Sequence, residues 1–362
     1  MKLLGTFGLV SFLLLSLSAA DSGSGGQAQE RNGLFVVPVV YYTPETGIVG
    51  GLTGLYYFRE GTSKTTSRPS TLRTALIYSE NRQLQLQFLY DLYLHDEKYL
   101  VDGELSYSHW PNRFYGIGNH AATGDLEPYT SDNLMARLRA LVQIRPGFYL
   151  GSSYEFRNVA MTETEREGML ANDGVTGSAG GSLSGLGFFV MSDTRNSPFS
   201  ASRGYYAQLV WQLYSSVLGS RFDCSVLRLD ARRYFALAPD QVAAVQILVG
   251  TSLGAVPFFA MPMIGGQDLL RGFFQGRYRD KSLLAVQAEY RLNLVPRLDV
   301  VAFGGLGQVA AGLDRLAVGG FKTCGGLGLR YAFKPREGLK LRLDVGWAEN
   351  KPAFYLTINE AF

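Results

Sequence analysis

The sequence predicts an all-β chain: a single transmembrane antiparallel β-barrel of about sixteen strands. Three observations lead there. Apolar residues recur at every second position in many separate stretches, with charged and amide side chains between them. Charged residues make up 18% of the chain, while aromatics reach 13% and glycine occurs 43 times; soluble domains carry about a quarter charged residues. After residue 20 no run approaches the roughly 18 apolar residues of a membrane helix, so a membrane crossing falls to strands.

Residues 1–20, MKLLGTFGLVSFLLLSLSAA, read as a secretory signal peptide. Lys2 gives the positive start, a Leu/Phe/Val run the apolar middle, and Ser18 and Ala20 the small residues before cleavage. Asp21, not a cysteine, stands directly after the cleavage position, which argues against a lipid anchor. Residues 21–33 are a Gly/Ser/Gln-rich flexible lead-in, and residues 34–362 form the barrel. An exported chain of this composition is expected to be integral to the outer membrane of a Gram-negative-type bacterium, with that membrane's lipid as its surroundings. A net charge of +3 is too small to argue for a nucleic acid partner.

The stretch Leu284 to Asn293 shows the alternation most clearly. Leu284, Val286, Ala288, Tyr290 and Leu292 fall on one face, and Gln287, Glu289, Arg291 and Asn293 on the other. Leu84 to Leu92 alternates with Gln83, Gln85, Gln87 and Asp91, and Leu134 to Val142 with Arg137, Arg139 and Gln143. Tyr205 to Leu213 alternates with Gln208 and Gln212, and Leu339 to Trp347 with Lys340, Arg342 and Asp344. One such strand fits a soluble sandwich equally well. A whole set, with Leu, Phe, Tyr and Trp on one face and aromatics near strand ends, fits a lipid-facing wall round a polar lumen.

Short turns such as Arg145-Pro146, Ala238-Pro239-Asp240, Val295-Pro296 and Lys334-Pro335-Arg336 interleave with long loops at 111–132, 160–182 and 258–281. Short periplasmic turns and longer outer loops give this rhythm, and an even strand count puts both ends on the periplasmic side. Counting upward from Leu34 places loop 258–281 outside, while residues 59–70 make a long turn on the short-turn side. The last strand, Ala353 to Phe362, sets Phe354, Leu356, Ile358 and Phe362 on one face. Its Phe362 resembles the C-terminal signal that outer-membrane barrels present to the barrel-assembly machinery.

Nothing in the chain points to catalysis. His95, His109 and His120 lie in no metalloprotease or hydrolase motif. The glycine clusters at 304–307 and 325–328 lack a Walker lysine and fit close packing inside strands. Cys224 shares a face with Phe222 and Val226, read as the lipid side, and Cys324 faces the lumen, so no disulfide is expected. Two cysteines fall short of a metal site. No cofactor and no metal are expected.

Three passages carry a family resemblance. Leu270-Arg271-Gly272-Phe273, followed by Gly276-Arg277-Tyr278-Arg279-Asp280, resembles an RGF/RGY loop motif. Asp193-Thr194-Arg195-Asn196-Ser197-Pro198 through Gly204 resembles a DTRDNPxxPxxG periplasmic turn. Asn112-Arg113-Phe114-Tyr115-Gly116-Ile117-Gly118-Asn119 resembles a loop of shorter members. The family they resemble is the BamA/TamA-type bacterial surface antigen family of outer-membrane barrels.

An arginine beside glycine and an aromatic can fold back into a polar lumen and fork onto a carboxylate. The resemblance implies that Arg271 does this, that loop 258–281 plugs the lumen, and that inward-facing Glu289 is the acceptor. The family usually adds a second acid in an F-x-D-x-G pattern. Phe303-Gly304-Gly305-Leu306-Gly307 has Gly305 in that place, so a weaker or rearranged anchor is expected. In the turn 193–204, Asn196, Pro198 and Gly204 suit a rigid reversal. The stretch from Ala20 to Leu34 leaves no room for the periplasmic POTRA domains that collect client chains in the family.

The resemblance implies a role in inserting or translocating protein, or another macromolecule, at the outer membrane. The route would be an unstable seam between the first and last strands, served by a separate periplasmic partner or a client polypeptide. A loop-gated, porin-like channel and a structural or adhesin barrel stay open as alternatives. Insertion requires a weakly hydrogen-bonded seam; a channel requires a tight one.

Overall fold

A sheet with such different faces must either close on itself or leave an unpaired edge, and this one closes. The computed structural model describes residues 32–58, 69–120, 126–172, 174–334 and 339–362. Sixteen antiparallel strands follow one another round a barrel in chain order, from Asn32–Thr43 to Lys351–Ile358. A further two-stranded ladder, Met263–Ile264 with Tyr278–Arg279, lies inside loop 258–281. The first strand begins at Asn32, slightly ahead of the expected Leu34. The expected signal peptide, residues 21–31 of the lead-in and most of the turn 59–70 lie outside the described residues.

The burial pattern is that of a barrel turned inside out. Leu134, Leu138, Leu186, Trp211, Leu327 and Trp347 stand exposed on the outer face. Inside, Asp102, Arg139, Glu289, Arg330, Arg342 and Asp344 are each at most 2% exposed. Buried charges must be paired, and strand register provides the pairs. Asp102 lies opposite Arg139 and Glu104 opposite Arg137 on neighbouring strands. Arg139 forks onto Asp102 at 2.8 and 2.9 Å, and Arg137 reaches Glu104 at 2.7 Å. Toward the outer mouth the lumen is apolar instead, filled by Phe114, Tyr129, Val159, Leu183, Phe258 and Phe259.

That apolar plug corrects one sequence reading. Cys224 does not face lipid: it is 7% exposed and packs in the plug, on the same inward face as Asp230 and Arg232. An apolar residue high in the lumen has an apolar neighbour to meet, so apolarity alone misassigns its face. Both cysteines point inward and both are free. Their strands are separated by three others, well beyond disulfide reach.

The last strand needs a second correction. It stops at Ile358 rather than running to Phe362. Asn359 adopts a left-handed conformation, φ 68°, and the chain after it turns into the periplasmic end of the lumen. Phe362 is therefore not on the outer face with Phe354. It is 4% exposed, beside Ala201, Tyr234 and Ala244, with the Arg291 guanidinium 5.8 Å from its ring centre.

Closure of the barrel is uneven. Leu339–Ala348 and Lys351–Ile358 pair without a break from Leu341 opposite Ile358 to Ala348 opposite Lys351. Between Asn32–Thr43 and Lys351–Ile358 the ladder consists of Tyr42 opposite Leu356 alone. Each strand also carries a proline, Pro38 and Pro352, which has no N–H to donate and is at home on sheet edges. In amide hydrogen exchange, the seam-facing amides of Asn32–Thr43 are expected to exchange well before those of Tyr99–Phe114, which is laddered on both sides. Equal protection of the two strands would mean a sealed wall.

Candidate functional site

The site is built round the return of loop 258–281 into the lumen. Leu270 takes a left-handed conformation, φ 49°, and Gly272 follows at φ 119°, so the backbone doubles back with Arg271 at its tip. A side chain at Gly272 is excluded twice over. Its φ lies outside the range of L residues, and a Cβ there would sit 2.8 Å from the carbonyl carbon of Trp347. Gly346 is equally tight, since its Cβ would lie 2.8 Å from the Arg271 carbonyl carbon. The loop backbone thus rests directly on the strand Leu339–Ala348.

Arg271 is 1% exposed and its guanidinium serves two acids. Nη2 donates to Glu289 and Nη1 to Asp344, each at 2.5 Å. The Phe303 ring lies beneath the guanidinium, 3.6 Å from its centre. The family's second acid is accordingly not on the strand of Phe303 but two strands further round, as Asp344. Gly305, in the position expected for it, has another task. Cβ atoms at Gly305 and Gly307 would come within 2.6 and 2.5 Å of the two Leu270 methyl groups. These glycines form the seat into which Leu270 packs, and the anchor is rearranged rather than lost.

The clasp extends to the periplasmic end. Arg330 reaches Asp344 at 2.5 Å and Glu360 at 2.8 Å. Arg291 donates to Glu289 at 2.8 Å and to the main-chain oxygen of Phe362 at 3.0 Å. Lys340 bridges Asp299 and Glu360 at 2.6 and 3.2 Å, and Arg342 donates to Asp268 in the loop at 3.0 Å. The cations Arg271, Arg291, Arg330, Lys340 and Arg342 are matched by Glu289, Asp344, Glu360, Asp299 and Asp268.

Above the clasp the loop spans the seam. On one side the Gln275 N–H donates to Glu45, in the turn after the first strand, at 2.8 Å. On the other, the Gly272 N–H donates to the Tyr355 hydroxyl of the last strand at 3.0 Å. Tyr278 donates to Glu349 in the turn before that strand, and Arg277 approaches the same acid at 3.3 Å. Phe273 packs with Leu270 and Tyr278. The 112–119 stretch braces the loop from outside: Arg113 and Tyr115 meet the Phe274 ring at 5.2 and 5.8 Å, and the Gly118 N–H donates to the Arg279 carbonyl at 2.8 Å. Gly276 makes a left-handed turn at φ 81°. Asp280 lies apart from the clasp and accepts from the Lys281 N–H at 2.7 Å.

The fold has known counterparts. The Omp85 superfamily domain matches residues 67–350. The chain belongs to the Omp85 superfamily. No curated protein matches the sequence. Among solved structures, BamA from Haemophilus ducreyi lacking POTRA domains 1-3 superposes with a TM-score of 0.62 at 12% identity, over 91% of this chain and 70% of that one. CdiB from Acinetobacter baumannii gives 0.58 at 15%, over 92% and 60%, and CdiB from Escherichia coli 0.60 at 11%, over 92% and 63%. The chain spans less than two thirds of either CdiB, and at these identities the likeness is one of fold. As an Omp85 barrel it is an integral outer-membrane protein of Gram-negative bacteria, in a superfamily that is generally non-enzymatic.

The periplasmic turn of this Omp85 barrel lies at the opposite end from the loop tip. Asp193 holds Arg195 through two bonds of 2.9 Å, and the Arg195 guanidinium stacks 4.6 Å from the Tyr206 ring centre. Asn196 accepts from the N–H groups of Ser202 and Arg203 at 3.1 and 3.2 Å. Gly204 adopts φ 99°, and Pro198 is exposed at the tip. The turn meets the clasp through its main chain: the Ala201 carbonyl accepts from Arg291 at 3.3 Å. Sequence reasoning missed Asp344, Tyr355, Glu45 and Glu349 as partners of the loop, and Arg330 and Glu360 as links that extend the clasp. For Asp344, Arg330 and Tyr355 the available signal was inward parity: Asp344 alternates with Leu343 and Val345 as Glu289 does with Ala288 and Tyr290.

Two outcomes follow for the Omp85 barrel. Arg271→Ala removes the clasp but leaves Glu289 with Arg291 and Asp344 with Arg330. Its cost should fall at the low end of a broken buried pair, about 3 kcal/mol, read as a lowered temperature for loss of the heat-modifiable gel band; an unchanged temperature would contradict the clasp. Glu45 is half-buried under the loop, and desolvation raises its pKa above 4.5. Below that ordinary value Glu45 is protonated whether folded or unfolded, and nothing is lost. As pH rises through the raised value, the folded state takes on a poorly hydrated charge and loses stability. Glu45→Gln, which keeps an acceptor for Gln275, is therefore expected to match wild type at about pH 4 and exceed it at about pH 8. The reverse order would refute this.

Proposed function

We propose that this Omp85 barrel inserts or translocates polypeptide at the outer membrane through the seam between Asn32–Thr43 and Lys351–Ile358. The observation that carries the reading is the seam itself, paired only at Tyr42 opposite Leu356 while neighbouring ladders are continuous. An opened seam presents two strand edges with free N–H and C=O groups, to which an extended client can add by β-augmentation. Loop 258–281 acts as a strap across that opening, because it bonds to Glu45 on one side and to Tyr355 and Glu349 on the other. The Arg271 clasp holds the strap down. Client chains reach the barrel with a separate periplasmic partner, and no step of this role is chemical catalysis.

Locking the seam tests it. Tyr42 and Leu356 are register partners, within disulfide reach once both are cysteine. In vesicles holding the Tyr42→Cys/Leu356→Cys variant, folding of an added, urea-unfolded eight-stranded outer-membrane protein is followed by its heat-modifiable band. The oxidised barrel should be inert and the reduced barrel should speed folding over protein-free vesicles. Equal rates in both states, or no acceleration when reduced, would sink the proposal.

A further inference from the structure

Away from the clasp, the lumen holds a second polar feature. On the wall formed by Glu127–Arg145, Phe148–Thr164, Gly181–Asp193, Gly204–Tyr214 and Cys224–Ala238 there is a cavity of about 140 Å³ that faces Arg137, Arg139, Arg157 and Arg228. A second cavity, of about 190 Å³, meets it at Val226, Arg228 and Ala260, which line both. At the ~10–15 Å³ a single water needs on this measure, the smaller cavity has room for an oxyanion and its hydration.

The acids of this region are already engaged. Asp102 takes Arg139, and Glu104 takes Arg137, Gln87 and Ser106. Asp230 is held by Arg232 and Gln246, and Glu155 accepts from the Tyr214 hydroxyl. Donors are left over. Nε of Arg137 and Nε2 of Gln212 have no hydrogen-bond partner among the described residues, although these side chains are only 8% and 6% exposed. Arg228 has no hydrogen bond or ion pair there either; the acid it feels most strongly is the occupied Asp230. Four arginines line the cavity against two acids, Asp230, which Arg232 holds, and Glu155, which accepts from a neutral hydroxyl. A planar fork of donors with this surplus of positive charge is matched by an incoming carboxylate or phosphate group.

We infer that this lumenal pocket binds an oxyanion, with Arg228, Arg137 and Gln212 as its donors. The shared chemistry is a compact anionic group with acceptor oxygens, supplied by free inorganic phosphate or by an acidic side chain of a peptide. The site stands on the lumen wall alone and does not depend on the seam reading.

Isothermal titration of the purified full-length barrel in detergent, with inorganic phosphate and separately with a glutamate-rich peptide, tests it. Wild type should bind at least one of them saturably, and Arg228→Gln should weaken that binding at least about tenfold. Arg315→Gln removes the same charge from an exposed loop and should leave binding unchanged. Binding of phosphate alone identifies a free anion as the source; binding of the peptide identifies an acidic side chain. Arg228 makes no ion pair that its replacement would break, and a heat-modifiable gel band verifies folding. Should Arg228→Gln fail to fold, Arg228→Lys keeps the charge, loses the fork, and should still weaken binding several-fold. No binding by wild type, or binding untouched by whichever folded Arg228 variant is measured, overturns the inference.

Discussion

A guanidinium buried in a lumen cannot stand alone, and the structure round Arg271 is organised by that requirement. Taking such an ion out of water costs several kcal/mol even after relaxation, so its acids must be close and fixed. Glu289 and Asp344 meet the condition from strands separated by two others. Each of these acids then needs a further cation, and those cations reach Glu360 and Phe362 beyond the last strand. One loop arginine therefore ties together the outer loop, four consecutive strands and the periplasmic tail.

The wall is strong where the clasp lies and weak at the seam beside it. The last strand is held part-way along by the Tyr355 hydroxyl and beyond its inner end by the tail, yet its contact with the first strand is a single register pair. Rigidity and openness are thus assigned to adjacent parts of one sheet. A barrel uniformly laddered would have no need of a strap; a barrel uniformly weak would not hold a plug.

Most of the fold was legible because a period of two is a local property. Leu284 to Asn293 declares its two faces without reference to any other strand. The motif at Leu270 to Phe273 made Arg271 legible, and the nearest inward acid, Glu289, lies in the next strand. Asp344 is 73 residues from Arg271, and nothing local distinguishes it from other inward acids until the register of four strands is known. Cys224 and Phe362 were misread for a related reason: an apolar side chain faces lipid only where the lumen offers it nothing apolar to meet. The seam was expected from the resemblance alone; in the residues themselves, unpaired and paired edges have the same composition apart from Pro38 and Pro352.

The seat formed by Gly305 and Gly307 bears on the routes by which such a barrel can change. An aspartate at position 305 would meet the methyl groups of Leu270 before it could reach Arg271. Leu270 has to move aside or be shortened for it to do so, and until then Asp344 is the acid within reach. The two ways of holding the loop arginine are therefore separated by a set of linked changes, and no single replacement converts one into the other.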